Sequence, residues 1–152
     1  MKITTKNFGE IELNDEKLLS FPNGITGFEE LKTFAIVYDS DNEANKSIMW
    51  LQSVEEPNFA MPVVDPLTVA PTYNPMVEDE ILKCLGDFGE EDLLILTTLT
   101  VPIDYEKMST NLKAPIIINT ATKKGCQVIV DNDEYEVKHY IYDYLKKLKG
   151  EN

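Results

Sequence analysis

The sequence predicts a mainly β domain, compact, antiparallel-rich and barrel-like, with one or two short helices. Three observations lead there. Short runs of alternating apolar residues are punctuated by Gly, Pro, Asn and Asp. One longer stretch, Asp92 to Val101 (DLLILTTLTV), is apolar on both faces, with Leu93, Ile95, Leu99 and Val101 on one side and Leu94 and Leu96 on the other. Helical periodicity occurs in only two places. The 152 residues hold no repeat, low-complexity tract or linker, which predicts one domain over 1–152 with a short charged helical tail from about 141.

The elements follow in chain order. Strands are expected at Lys2 to Thr5, Glu10 to Leu13, Leu18 to Phe21, Thr33 to Tyr38, Ser47 to Ser53 and Phe59 to Val64, connected as an antiparallel meander. Asn7-Phe8-Gly9, Asn14-Asp15 and Pro22-Asn23-Gly24 supply the turn chemistry. The segment from Asp65 to Pro75 carries Pro66, Pro71 and Pro75, which predicts an extended surface stretch in place of a central strand or helix. A helix is expected next, capped by Asn74 with Pro75 in its first position and Glu78, Asp79 and Glu80 at its positive end. Val77, Ile81 and Leu85 would form its buried stripe, closed by Gly86. Beyond the Asp92 to Val101 strand, Pro115 to Asn119 and Cys126 to Val130 read as strands separated by Lys123-Lys124-Gly125, with a last strand near Tyr135 to His139. Ile141, Tyr144, Leu145 and Leu148 then repeat as a terminal helix does, with Lys146, Lys147 and Lys149 suiting its negative end.

The charge narrows the function classes. Fourteen basic residues, all lysine, against 27 acidic ones give a formal charge of −13. Such a chain repels a phosphate backbone and lacks the arginine fork that reads phosphates and guanine edges, so direct nucleic-acid binding is not expected. The acidic surface tilts toward basic protein partners. No apolar run is long enough to span a membrane, and the opening residues lack a signal peptide's apolar centre, so a cytoplasmic location is expected.

Catalytic constellations fail on inspection, and no catalytic, cofactor or metal residue is assigned. His139 is the sole histidine, no G-x-S-x-G elbow exists, and His139 reads as a structural strand residue. Cys84 and Cys126 form neither a disulfide framework nor a C-x-x-C pair and read as buried thiols. Glu55 and Glu56 are adjacent, hence on opposite sides of an extended chain, and cannot flank one bond. Asp39, Asp41 and Glu43 begin like a calcium loop but meet Ala44 and Trp50 where glycine and glutamate are required, and Asp131 and Asp133 fail similarly. Gly24 to Gly27 is too short for a dinucleotide fingerprint, and the Asn45-Lys46-Ser47 sequon is a chance tripeptide in a cytosolic chain.

Phe21-Pro22-Asn23-Gly24-Ile25-Thr26-Gly27-Phe28-Glu29, an F-P-x-G-x-x-G-F-E run, resembles the FliW flagellar assembly factor family. The resemblance continues through Leu51-Gln52-Ser53 and Glu56-Pro57, through Val64-Asp65-Pro66 with Tyr73, and through Asn111-Leu112-Lys113-Ala114-Pro115-Ile116-Ile117-Ile118-Asn119, the most specific segment. Gly125 to Ile129 and Tyr135 to His139 match the last two strands. Cys126 and the tail Tyr142 to Asn152 depart from the pattern without touching these signatures.

The resemblance implies a single cytosolic FliW-like domain without catalytic activity or cofactor, monomeric, that binds unsecreted flagellin and the RNA-binding translational regulator CsrA. The two partners compete, so export of flagellin frees the protein to capture CsrA and relieve repression of flagellin mRNA. CsrA is antagonised by covering its RNA surface or by action from elsewhere on it; the resemblance favours the second. The motif residues are expected to be structural: Gly24 and Gly27 for turns, Phe28 packed inward, Pro115 to Ile118 as buried strand. Partner contacts are expected at Glu78, Asp79 and Glu80, at Glu90 and Glu91, and in the Pro102 to Tyr105 loop through Ile103 and Tyr105. The competing classes are a small-molecule carrier using a barrel mouth, an uncharacterised enzyme, and a structural flagellar subunit, the last disfavoured by the lack of coiled-coil heptads.

Overall fold

The computed structural model describes residues 1–38 and 48–143. Its strands are β1 (Lys2–Thr5), β2 (Gly9–Glu12), β3 (Leu19–Ser20), β4 (Thr33–Tyr38), β5 (Ile48–Ser53), β6 (Ala60–Val64), β7 (Leu93–Thr100), β8 (Ser109–Thr110), β9 (Ile116–Asn119), β10 (Lys124–Gln127) and β11 (His139–Tyr140). Two single-turn helices, α1 (Pro66–Val69) and α2 (Asp79–Leu82), lie between β6 and β7.

Strands β1 and β2 form a separate hairpin, whose Phe8 meets Trp50 of β5 edge to face at 5.8 Å. Strands β3 to β6 run as the expected antiparallel meander, which β7 extends, but β2 does not pair with β3 as a meander running from Lys2 would require. Closure is non-local: β10 pairs with β9 and, in parallel, with β3, while β9 pairs with β7. The ring β7-β6-β5-β4-β3-β10-β9-β7 is therefore a closed seven-stranded barrel. At the far end of β7, Leu99 and Thr100 pair with β8, and β8 with β11, giving a flap that leaves the barrel wall.

Period-two alternation sorts the side chains. Ile116 and Ile118, with Leu96, Phe34, Leu51 and Val63, fill the barrel interior. Ile117 and Cys126 face outward with Leu93 and Ile95, and this outer face is covered by Leu85, Val77 and Leu82 from the segment around α2. The apolar character of both β7 faces is thus explained, as the sequence predicted. A third cluster, Val64, Val69, Leu99 and Ile141, joins α1 to the flap.

Several local expectations are corrected. The Asp65 to Pro75 stretch is not a surface connection: Asp65 Oδ1 accepts from Leu67 N at 3.0 Å, Pro66 takes the first helical position, and α1 buries Pro66 and Val69. Asn74 does not cap a helix. Its N–H donates to Tyr135 Oη at 2.6 Å and its carbonyl accepts from Asn132 Nδ2 at 3.1 Å, so α2 begins later, at Asp79. The chain then tightens into a 3-10 turn over Lys83–Leu85, which shifts the helical phase; Leu85 is buried, but Ile81 is exposed. Phe28 is 39% exposed and stacks on Phe59 with ring centroids 4.3 Å apart, so it does not point into the core. The last strand, expected over Tyr135 to His139, is only β11, which begins at His139; the Leu112 N bond to the Glu136 carbonyl lies one residue out of the β8–β11 register, so the ladder does not continue through it. Lys124 and Gly125 belong to β10, and the turn before it is completed by Lys123 at φ 62°. The terminal helix beyond Asp143, the calcium-like Asp39, Asp41 and Glu43, and the Asn45-Lys46-Ser47 sequon lie outside the described residues.

Candidate partner-binding surfaces

The motif residues build the frame that holds the surfaces. Phe21 is fully buried and packs edge to face on Phe34 at 5.2 Å, while a Cβ on Gly125 would lie 2.6 Å from the Phe21 ring. Gly24 has φ +68°, and a Cβ there would lie 2.5 Å from the Glu29 backbone. Glu29 Oε1 accepts from Gly27 N at 3.1 Å, and that backbone hydrogen bond holds its carboxyl below the usual range. In the next motif, buried Gln52 Nε2 donates to the carbonyls of Ser53, Pro57 and Phe59 and so shapes the β5–β6 turn at Pro57.

Two asparagines do the same for the N-L-x-A-P-I-x-I-N segment. Thr110 lies opposite Leu99 and Ile116 opposite Leu96, so residues 111–115 face only Thr97 and Thr98 of β7 and must bulge. Asn111 Oδ1 holds that bulge by accepting from Lys113 N and Ala114 N at 3.1 and 3.0 Å. Leu112 is buried in it, its carbonyl accepting from the Tyr73 hydroxyl at 2.7 Å; burial pushes the Tyr73 pKa above its ordinary value. Pro115 is buried and its carbonyl accepts from Val128 N at 3.1 Å. Asn119, fully buried, donates from Nδ2 to the Leu85 and Asp87 carbonyls at 2.9 and 3.0 Å. Its Oδ1 accepts from Ala121 N and Thr122 N. This one side chain ties the end of β9 to the chain that follows α2.

Onto this frame the candidate contact residues are placed in two groups. Glu78, Asp79 and Glu80 are exposed at the start of α2, beside the exposed apolar Ile81 and Phe88. The 3-10 turn Glu90–Asp92, which contains Glu91, leads directly into β7. The three ion pairs among the described residues are all exposed, and the only one here is Lys83 with Glu80 at 3.8 Å, so the acidic field is little neutralised. At the other end of β7, Ile103 is 102% exposed and Tyr105 is 64% exposed. The loop is shaped by Asp104, whose Oδ1 accepts from Glu106 N at 3.2 Å. An eight-residue strand separates the Glu90–Asp92 turn from this loop, roughly 25 Å. The structure therefore does not bring the acidic and apolar candidates together.

Sequence reasoning missed Ile129, which is exposed beside the barrel mouth, and the contact between the two thiols. Val128 and Val130 are buried, so the alternation alone marks Ile129 as the outward member. Burial, with the neighbouring Cys84 adding to it, pushes the Cys126 thiol up to about 12, while the Cys84 thiol itself donates to the Ile81 carbonyl at 3.4 Å. Among the described residues, no group of three His, Cys, Asp or Glu side chains converges as a metal site, and no helix is long and apolar enough to cross a membrane.

Fold and surfaces together define a class: a small closed β-barrel with a side hairpin, a flap and a helical cover, its motif polar groups spent on its own backbone. The comparisons narrow it. The family model described as FliW protein matches residues 2–141. The flagellar assembly factor FliW of Lachnoclostridium phytofermentans is 52% identical over 155 residues, spanning 99% of each chain. That of Lachnospira eligens is 52% identical over 148 residues, 97% of this chain and 98% of the relative. A crystal structure of the flagellar assembly factor FliW superposes with a TM-score of 0.84 at 34% identity, over 93% of this chain and 96% of that one. The chain belongs to the FliW family of flagellar assembly factors.

Proposed function

We infer that this protein is a non-catalytic, cytoplasmic and monomeric regulator that binds the flagellin monomer and CsrA, coupling flagellin export to flagellin translation. The observation that carries the reading is the full-length FliW match, combined with surfaces suited to protein partners. A net charge of −13 without arginine directs it to the RNA-binding protein and away from the RNA. The acidic end around α2 supplies steering for a basic partner, since exposed charges raise encounter rates more than they anchor. The Ile103 and Tyr105 loop supplies apolar anchors for flagellin helices exposed only before polymerisation.

The separation of the two surfaces is compatible with competition. Roughly 25 Å is less than the ~30 Å diameter of a small domain, so a partner seated at one end covers the other by bulk. Calorimetry with the cognate proteins tests the reading. Binding of monomeric flagellin at about one to one, absence of binding to filament, and displacement of CsrA by flagellin are expected. Binding of neither protein would overturn it.

A further inference from the structure

Beyond Gln127 the chain runs on as an extended line against the Asn111 bulge: Val128 N donates to the Pro115 carbonyl at 3.1 Å and Val130 N to the Lys113 carbonyl at 3.0 Å. Successive peptide groups of an extended chain point to opposite edges, so the N–H and C=O of Ile129 face away from the bulge. On that side β3 would have to continue, but it pairs with β10 only at Ser20 and Lys124 before turning off at Pro22. Among the described residues neither backbone group of Ile129 has a hydrogen-bond partner.

The side chain is as open as the backbone. The alternation that sets Gly125 against Phe21 inside the barrel puts Gln127 and Ile129 on the same face. The paired wall ends at Gln127, so Ile129 overhangs the mouth, 69% exposed. Beneath it lies a groove of about 450 Å³, lined by Ile25, Phe28, Met61, Ala114 and Val128. Thr26 N and the Ala114 carbonyl at its sides are already bonded by the Gln127 amide, at 3.0 and 3.1 Å. Three carboxylates flank the groove, Glu29 and Glu30 after Phe28 and Asp131 after Val130, all exposed, and the Lys32 ammonium beside Glu29 donates to the Pro22 carbonyl at 3.2 Å. The nearby Lys113 ammonium donates to the Asn132 carbonyl at 2.9 Å. Two copies of a chain at −13 repel one another, which disfavours pairing of this edge with itself and favours a cationic occupant.

We propose that this edge and the barrel mouth take an extended segment of another protein with alternating apolar and basic side chains, which pairs with the Ile129 backbone and seats one apolar side chain in the groove. The groove, which reaches Thr98 and Asn111, shares no residue with the acidic end or with the Ile103 loop, and its test uses neither flagellin nor CsrA.

The probe is the capped peptide Lys-Val-Lys-Val-Lys-Val-Lys, titrated into the ¹⁵N-labelled full chain. Chemical-shift changes are expected at Thr26, Phe28, Gln127 and Ile129, with exchange of the Ile129 amide slowed at least tenfold. The fully N-methylated peptide and the version with Glu in place of Lys should lose the effect. Ile129→Pro deletes a donor that no described group uses, and should abolish binding, whereas Ile129→Val should retain it. The proposal is overturned if the shifts centre on α2, if the N-methylated peptide binds as well, or if Ile129 shifts with protein concentration alone, the mark of a second copy.

Discussion

The two ends of β7 are built on opposite plans. Where the strand begins, charged side chains lie at the surface over a buried tie: Leu85 and Asn119 are fully buried, and Asn119 fills all its hydrogen-bonding capacity on backbone from two segments. Where it ends, a fully exposed isoleucine and a largely exposed tyrosine stand on a loop held only by its own short-range hydrogen bonds, the Asp104 cap on Glu106 N and the 3-10 turn over Tyr105–Lys107. Substitutions at the first end therefore affect stability or long-range attraction, depending on depth. At the second they affect contact alone.

The largest expected effect falls on the buried tie. Asn119→Ala leaves the Leu85 and Asp87 carbonyls without their donor and should cost about 2 to 4 kcal/mol in urea unfolding, while Ile103→Ala should change stability by under ~0.5 kcal/mol. A loss below about 1 kcal/mol for Asn119→Ala would remove the contrast between the ends. Next, replacing Glu78, Asp79 and Glu80 together by lysine should slow association with CsrA about tenfold at low salt, with the difference fading toward 1 M salt, where the Debye length is ~3 Å. Association rates measured across a salt series decide it; a flat series leaves these carboxylates as a solvated helix start. Ile103→Ala with Tyr105→Ala should weaken flagellin by about 1 kcal/mol, roughly fivefold, chiefly through faster dissociation. Unchanged affinity in calorimetry, with the fold intact, would remove the loop from the interface.

The smallest effect tests the packing under the acidic end. Burial holds the Cys126 thiol protonated in the fold up to about 12, whereas in the unfolded chain it ionises near the usual ~8.5. Below that unfolded value both states carry the proton and nothing is gained or lost. As pH rises above it the unfolded state sheds its proton first, so stability falls. Between about pH 7.5 and 9 the wild type should lose up to ~0.8 kcal/mol more than Cys126→Ala. Equal slopes would show that the thiol is accessible in the fold.

Much of this was legible in the sequence because it is local. Thr33–Tyr38 appears with its expected bounds, and the double apolar face of β7 correctly announced a strand covered on both sides. Glu78, Asp79, Glu80, Glu91 and Ile103 were readable as exposed from charge and from the flanking Pro102 and Asp104. What escaped depends on distant partners. Asn74 and Pro75 form a good helix start in isolation, yet Tyr135 and Asn132, some 60 residues on, take the Asn74 backbone instead. Barrel closure rests on the parallel contact of Ser20 with Lys124, a single pair that no periodicity announces. The dense prolines hid α1, although Asp65-Pro66 is itself a cap followed by a first helical position. The wide separation of the two contact groups became visible only once β7 was placed between them.

That separation is most directly tested by crossing the two surface variants with the two partners. The lysine triple and the Ile103/Tyr105 alanine pair are each measured against CsrA and against monomeric flagellin by surface plasmon resonance at physiological salt. The acidic variant should slow CsrA association and leave flagellin within about twofold, and the loop variant should do the reverse. If both variants weaken both partners alike, or neither weakens either, the two ends of β7 do not divide the work between the partners.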